Sequence, residues 1–368
     1  LPRNLIVNAF EEWQDFAKPV SRPFRIFCLP LSLACRVRAV LLWSFAAMAS
    51  LAPAATEGGW QIAKIDGRDY VSVLSMKSFY GFTKLTRSGM SITLENTKIE
   101  MKLQVGGNEC LMNGVKFVFS NPVATSGDDA YISRMDLAKL IDPVLRPNFI
   151  KNAGDFRTVI LDPGHGGKDS GAANSIGTEA VYNLKVAGRV KSQLQAQGFK
   201  VVMTRDSNRF LTLQERVNLA NAVQEKAIYI SIHFNSGGPA ARGIETFTLS
   251  PPGVAHYGRD FIPADNQQRT GNEHDSANIA LATSVHGSLL RRLQTHTFDR
   301  GIKRARFSVL SGVRHPAILL EGGFMTHSYE ARLIDNETYQ NSLATGIVEA
   351  IAKYRFAVGA KPPVKAPN

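Results

Sequence analysis

Cysteine is scarce in this chain: three in 368 residues, at Cys28, Cys35 and Cys110. Histidine is missing from the first 164 residues, and all eight fall between His165 and His327. The longest apolar run near the start, residues 39–51, is shorter than the ~20 residues of a comfortable membrane span. No nucleic-acid-binding motif is present, and the basic residues are scattered instead of lining one helix. Each absence excludes something. Cys28 and Cys35 lie in a leader-like stretch, so Cys110 alone would survive and no internal disulfide is expected. Metal and acid–base chemistry at neutral pH leans on histidine, which directs it to the second half.

What is present is globular. The chain is 44% hydrophobic and 20% charged, long enough for two modest domains. Its net charge of +12 suits polyanions such as anionic lipid or acidic wall polymers, or serves solubility alone. Residues 36–55, RVRAVLLWSFAAMASLAPAA, carry a basic region, an apolar region and the A-x-A pattern of Ala52 and Ala54. That is the grammar of a signal peptide; the other reading of the same run is an uncleaved N-terminal membrane anchor. SLAC at 32–35 fits a lipoprotein signal poorly, because the apolar run follows Cys35. The sequence opens on Leu1, which reads as a fragment or a misplaced start. Residues 1–55 are therefore assigned to a leader.

Residues 56–150 read as a small β-rich accessory domain. GMSITL at 89–94 and KIEMKLQV at 98–105 alternate like strands, and NGVKFVF at 113–119 opens with a hairpin-type Asn-Gly. DGRDYVSVLSMKSFYGF at 66–82 echoes GDDAYISRMDLAKLIDPVL at 127–145: a polar turn, a short strand ending in serine, then a short helix, as if a β–α unit were duplicated. Residues 148–157 read as a linker. From Thr158 strands and helices alternate. Strands are expected at TVILD, FKVVMTR, AIYISI, GIETFTL, FSVL (307–310) and AILLE. Helices are expected at 178–197 with Gly198 past the end, from a TLQE capping box (Thr212, Glu215) to about Gln224, over 276–296 and over 339–354. The expected fold class is α/β, a mostly parallel sheet with helices on both faces, over residues 156–356. Residues 357–368 form a basic tail expected to be disordered.

In such sheets the site gathers beyond the carboxyl ends of the strands. His165 follows TVILD within DPGHGG, His233 ends AIYISI, and Glu321 ends AILLE; Glu179 opens the helix leaving the His165 loop. Two imidazoles and a carboxylate are the ligand set of a catalytic zinc with an open position, and a second carboxylate off the metal does acid–base work. This assigns His165, Glu179 and His233 to Zn2+ and Glu321 to catalysis. Glycines beside His165 and Glu321 are read as room for metal and substrate. Each residue also has an ordinary reading. His165 could be a turn residue, Glu179 a first-turn acid on the helix dipole, and His233 a satisfied core histidine. Glu321 could be the partner of Arg205 or Arg216 in a structural salt bridge. Together, the four at one edge outweigh the separate alternatives.

These residues also carry a resemblance. VILDPGHGGKDSGA (159–172) with Glu179, TRDSNRFLTLQERVNLAN (204–221), SIHFNS (231–236), GIETFTL (243–249), DRGIKRARFSVL (299–310) and ILLEGGF (318–324) resemble the zinc N-acetylmuramoyl-L-alanine amidases of the type-3 class over about residues 158–354. The resemblance implies hydrolysis of the amide between N-acetylmuramic acid and the first L-alanine of the peptidoglycan stem, as in wall remodelling or daughter-cell separation. It places metal ligands on His165, Glu179 and His233 and the catalytic acid on Glu321. Peptidoglycan is then the partner and the cell envelope, periplasm or exterior the location. The region before residue 150 resembles, by pattern, the N-terminal domain of copper amine oxidases. Two departures stand out: MTHS with His327 after GGF, and a polar insertion at 250–275 with His256 and His274. Some relatives carry an occluding helix there, but this insertion has little helical periodicity, so autoinhibition is not carried over; a protein activator is left open. The competing readings are a zinc peptidase or deacetylase acting on another amide, and an inactive wall-binding protein, which would need one of the four positions vacant.

Overall fold

The computed structural model describes residues 55–57 and 59–359; the leader up to residue 54, its two cysteines and residues 360–368 of the tail lie outside these residues, whereas residues 357–359, expected to open the disordered tail, are the end of the last helix, with Ala357 and Val358 buried. The N-terminal part begins with β1 (Ala55–Glu57), β2 (Trp60–Ile65) and β3 (Arg68–Ser72), then helix α1 (Val73–Phe79). A meander follows: β4 (Lys84–Ser88), β5 (Ser91–Glu95), β6 (Glu100–Gln104), β7 (Glu109–Met112) and β8 (Val115–Val118). Then come β9 (Ala124–Ser126), β10 (Asp129–Ser133), α2 (Arg134–Asp136) and α3 (Asp142–Leu145). The Asn-Gly of the last hairpin turns as its composition dictates, with φ of 50° at Asn113 and 78° at Gly114.

The two echoing segments end their strands alike. Ser72 caps α1 by accepting from the Leu74 and Ser75 N–H groups, and Ser133 caps α2 by accepting from Asp136 N. The strands β3 and β10 pair antiparallel in a five-stranded sheet of order β1-β2-β3-β10-β9.

The second part supplies β11 (Thr158–Pro163), α4 (Glu179–Ala196), β12 (Lys200–Met203), α5 (Leu213–Asn221), β13 (Ala227–Asn235), β14 (Ile244–Leu249), α6 (Asp275–Leu293), β15 (Asp299–Ala305), α7 (Ser308–Gly312), β16 (Ala317–Phe324), α8 (Ser328–Asp335) and α9 (Glu337–Gly359). Strands β12, β11, β13 and β16 are parallel, and β14 then runs antiparallel to β16. Alternation sorts the side chains. Ile228, Ile230, Ile232, Ile318 and Leu320 join the core with α4, α6 and α9, while Tyr229, Ala317 and Leu319 join the core with α5 and α7. Helices thus cover both faces of a mostly parallel sheet, the fold class expected.

One expectation needs correction. FSVL is not a strand: Phe307 precedes the short helix α7, and the strand is β15, which starts eight residues earlier at Asp299. Its sequence, DRGIKRA, hides a buried strand because its cations are paired by distant acids. Lys303 and Arg304 are 3% and 4% exposed, bonded to Glu245 and Asp136.

The N-terminal part packs against the second and shares a sheet with it. The meander extends the α/β sheet to eleven strands, through the parallel pairing of β8 with β15 at Phe117 and Ile302. Lys116 N donates to Asp299 at 2.8 Å, and buried Arg304 pairs with Asp136 at 2.9 Å. Helix α3 packs on α6, and one hydrophobic core runs from Met76 and Leu94 to Ile230 and Ile351.

Candidate active site

The last residue but one of strand β11 is an aspartate that is 1% exposed. Asp162 accepts hydrogen bonds from Thr204 (2.6 Å), Tyr229 (2.6 Å), Ser231 (2.8 Å) and Arg216 (2.8 Å). Burial alone would raise its carboxyl, but the Arg216 guanidinium and the Thr204 and Tyr229 hydroxyls outweigh it and hold the group below the usual range. Arg205 and Arg216 then clamp the loop: both donate to the Pro163 carbonyl, Arg205 also to Gly164 O and Arg216 to His165 O. Neither is the partner of Glu321, so the structural salt bridge weighed for that glutamate is absent. The clamp holds His165 in the left-handed region at φ 58°.

The neighbouring glycines do not leave open space, as read from sequence. A Cβ on Gly164 would lie 2.0 Å from His233 Cε1, and one on Gly171 would lie 2.5 Å from Glu179 Oε2. They let the loop backbone lie against the site's own side chains. Gly322, after Glu321, is likewise pressed on Phe234.

The structure brings His165, Glu179 and His233 together, with one nitrogen or oxygen from each lying within 4.8 Å of the others. Glu179 Oε1 is 2.8 Å from His233 Nδ1 and 3.2 Å from His165 Nε2. Its Oε2 accepts from Ala172 N at 2.9 Å. Burial pushes the Glu179 carboxyl up, but the contacts with His165 and His233 prevail and hold it well below the usual range. The other nitrogen of His165, Nδ1, meets Asp169 at 2.8 Å, the carboxylate–imidazole arrangement that orients a ligating histidine. Two imidazoles and a carboxylate converging without a lysine or arginine among them fit a divalent cation of the zinc type.

Glu321 sits on β16 as the register partner of His233 on one side and Glu245 on the other. The residue is partly exposed, yet its Oε2 is buried and has no hydrogen-bond partner among the described residues. Burial first, then the nearby Glu179 and Glu245 charges, push its carboxyl well above the usual range. A carboxyl raised this way holds and releases a proton closer to neutral pH.

The remaining histidines lie elsewhere. His256 Nδ1 accepts from Arg306 N, His274 meets Arg314 O, and His327 caps α8 by accepting from Glu330 N. The 250–275 insertion contains only two short 3-10 turns, Pro263–Asn266 and Thr270–His274, before α6 begins at Asp275. Arg306 fastens it through the carbonyls of Pro251, Val254 and Asp265. Sequence reasoning missed Asp162, Asp169 and Glu245. An acid ending a wholly apolar strand was the available signal for Asp162; Glu245 stood equally inside GIETFTL.

Residues 159–353 match the model of the N-acetylmuramoyl-L-alanine amidase family, more than half of the chain. The chain belongs to that family. The amidase region is similar to the amidase LytC of Bacillus subtilis, 32% identical over 207 residues, covering 56% of this chain and 37% of LytC. It is also similar to the amidase AmiA of Escherichia coli, 28% identical over 253 residues, covering 62% of this chain and 86% of AmiA. Among solved structures, the catalytic domain of the amidase CwlV from Bacillus (Paenibacillus) polymyxa is 32% identical with a TM-score of 0.45, covering 54% of this chain and 98% of that one. The family match leaves the residues before 159 outside it.

Proposed function

We propose that this chain is a zinc amidase that hydrolyses the bond between N-acetylmuramic acid and L-alanine in peptidoglycan. Family membership supports the substrate. The observation that carries the mechanism is the convergence of His165, Glu179 and His233 within 4.8 Å, one strand from Glu321.

His165, Glu179 and His233 would hold the zinc. Zinc bound there supplies Lewis-acid chemistry, polarising a carbonyl and bringing the pKa of water to about 7. Asp169 orients His165 through Nδ1, and the Asp162–Arg216 pair with Arg205 keeps the loop rigid under it. Glu321 takes the proton of the attacking water and returns it to the nitrogen of the leaving L-alanine as the C–N bond breaks. Its one unpartnered buried oxygen leaves it free for both transfers. Residues 1–55 would export the chain as a signal peptide, to act in the cell envelope. Residues 56–150 form a unit folded onto the catalytic sheet, and it serves as a wall-polymer contact or a spacer.

A digest of purified peptidoglycan tests the reading. Mass analysis is expected to find intact stem peptides with a free L-alanine amine and glycan strands stripped of peptide, and a chelator is expected to stop their release. Cuts inside the stem peptide, or loss of acetyl groups only, would instead establish the peptidase or deacetylase. Full activity after chelation would remove the metal from the mechanism.

A further inference from the structure

A cavity of about 440 Å³ lies at a seam that none of His165, Glu179, His233 or Glu321 lines. Its walls come from three distant parts of the chain: Asn108 and residues 118–120 at the end of the meander, residues 254–260 of the insertion, and Arg304 of β15. The volume is that of a small-ligand site.

Arg304 is 4% exposed. Its Nη1 donates to Ser120 Oγ at 2.6 Å and to Asp136 at 2.9 Å. Its Nη2 is buried and has no hydrogen-bond partner among the described residues. A buried donor without an acceptor costs free energy, and each such group asks for an explanation. Two neutral donors stand in the same wall. Ser120 Oγ accepts from Arg304, which leaves its O–H to donate. His256 Nδ1 accepts from Arg306 N at 2.9 Å, which puts the ring hydrogen on Nε2.

Charge limits the ligand. Arg304 is met by Asp136, and Arg259 by Asp265 at 2.8 and 2.6 Å, while Asp260 adds an acid to the wall. This near balance favours one negative charge over two. Three donors suit the two oxygens of a carboxylate. Val118, Phe119 and Val254 line space beside them for small apolar groups.

We propose that this cavity binds the C-terminal carboxylate of a peptide ending in small apolar residues, held by Arg304 Nη2, Ser120 Oγ and His256 Nε2. That the peptide is a wall stem peptide ending in alanine rests on the substrate proposed above; the carboxylate does not. The insertion and the meander thereby hold the polymer at a second point, outside the hydrolytic site.

The test is calorimetric titration of the zinc-loaded full chain with N-acetyl-D-alanyl-D-alanine, which lacks the muramic acid amide, and with its C-terminal amide. The acid is expected to bind about tenfold or more tighter, the scale of a charge-assisted hydrogen bond. His256→Asn keeps an acceptor for Arg306 N and removes the Nε2 donor, and Ser120→Ala removes the hydroxyl. Each is expected to weaken binding of the acid about tenfold. The chelated chain is expected to bind the acid as the loaded one does. A crystal grown with the acid is expected to place a carboxylate oxygen within about 3.2 Å of Arg304 Nη2. Equal affinity for acid and amide, unchanged affinity in both variants, or binding lost on chelation would each overturn the proposal. So would inorganic phosphate that displaces the acid at equal concentration, which would show a general anion site. A chain that releases no stem peptide from peptidoglycan would sink the amidase reading instead, while selective binding of the acid would still uphold this one.

Discussion

His233 and Glu321 are register partners on the parallel strands β13 and β16, so one ladder position carries both a proposed metal ligand and the proposed acid–base group. The two roles separate by substitution. Glu321→Gln is expected to keep zinc and lose about 100-fold or more in hydrolysis, the usual contribution of acid–base catalysis. His233→Ala is expected to lose zinc. Elemental analysis beside a peptidoglycan digest reads both. Unchanged turnover in the first variant, or full zinc occupancy in the second, contradicts the assignments.

The loop carrying His165 depends on Asp162, which gives a pH-dependent prediction. The Asp162 carboxyl is held below its ordinary range by Arg216 and the Thr204 and Tyr229 hydroxyls, against the opposing effect of burial. A depressed folded pKa adds stability above the unfolded value of about 3.9, and that stability fades as pH falls through it toward the folded value. Asp162→Asn is expected to cost about 3–5 kcal/mol at pH 7, since it leaves buried Arg216 without its partner charge. Urea denaturation at a series of pH values should show the gap between variant and wild type narrowing below about pH 4. A constant gap across that range would mean that Asp162 acts by shape alone.

Two glycines contrast a close approach with open space. Gly164→Ala would put a methyl 2.0 Å from His233 Cε1, so most bound zinc is expected to be lost with the histidine displaced. Gly188 lies inside α4 with nothing within 4 Å of its ideal Cβ. Gly188→Ala is expected to stabilise the chain by about 0.5–1 kcal/mol with zinc content unaltered. Equal zinc content in both variants would show that the loop has room to yield.

How far the sequence could be read follows from where each residue's partners lie. The convergence of His165, Glu179, His233 and Glu321 was legible because each lies near the carboxyl end of a parallel strand or opens a helix, and those ends share one edge. The capping box at Thr212 and Glu215 and the turn at Asn113 were legible because their partners are within three residues. β15 was not. Its Arg300, Lys303 and Arg304 look solvated until Glu245 and Asp136 arrive from 55, 58 and 168 residues away. The same distance hid the fact that the meander joins the catalytic sheet, since β8 and β15 meet at a single register pair. Glycines were misread because a positive φ or a tight approach is a property of neighbours, not of the glycine itself.

That shared sheet makes the last prediction. Asp136 accepts from Arg304, from Ser133, and from the backbone of Ser120 and Asn121, and it is fully buried between the meander and β15. Asp136→Asn leaves the Arg304 charge buried and uncompensated, at an expected cost of about 3–5 kcal/mol. Because the core is continuous across residues 76–351, the loss should appear everywhere at once. Trp60, the single tryptophan among the described residues, sits in β2 and reports the N-terminal part, while far-UV circular dichroism is dominated by the helices of the α/β part. In urea the two signals are expected to fall together in the wild type and, at lower denaturant, together in Asp136→Asn. A tryptophan transition that moves alone would show that the two parts unfold independently despite their common sheet.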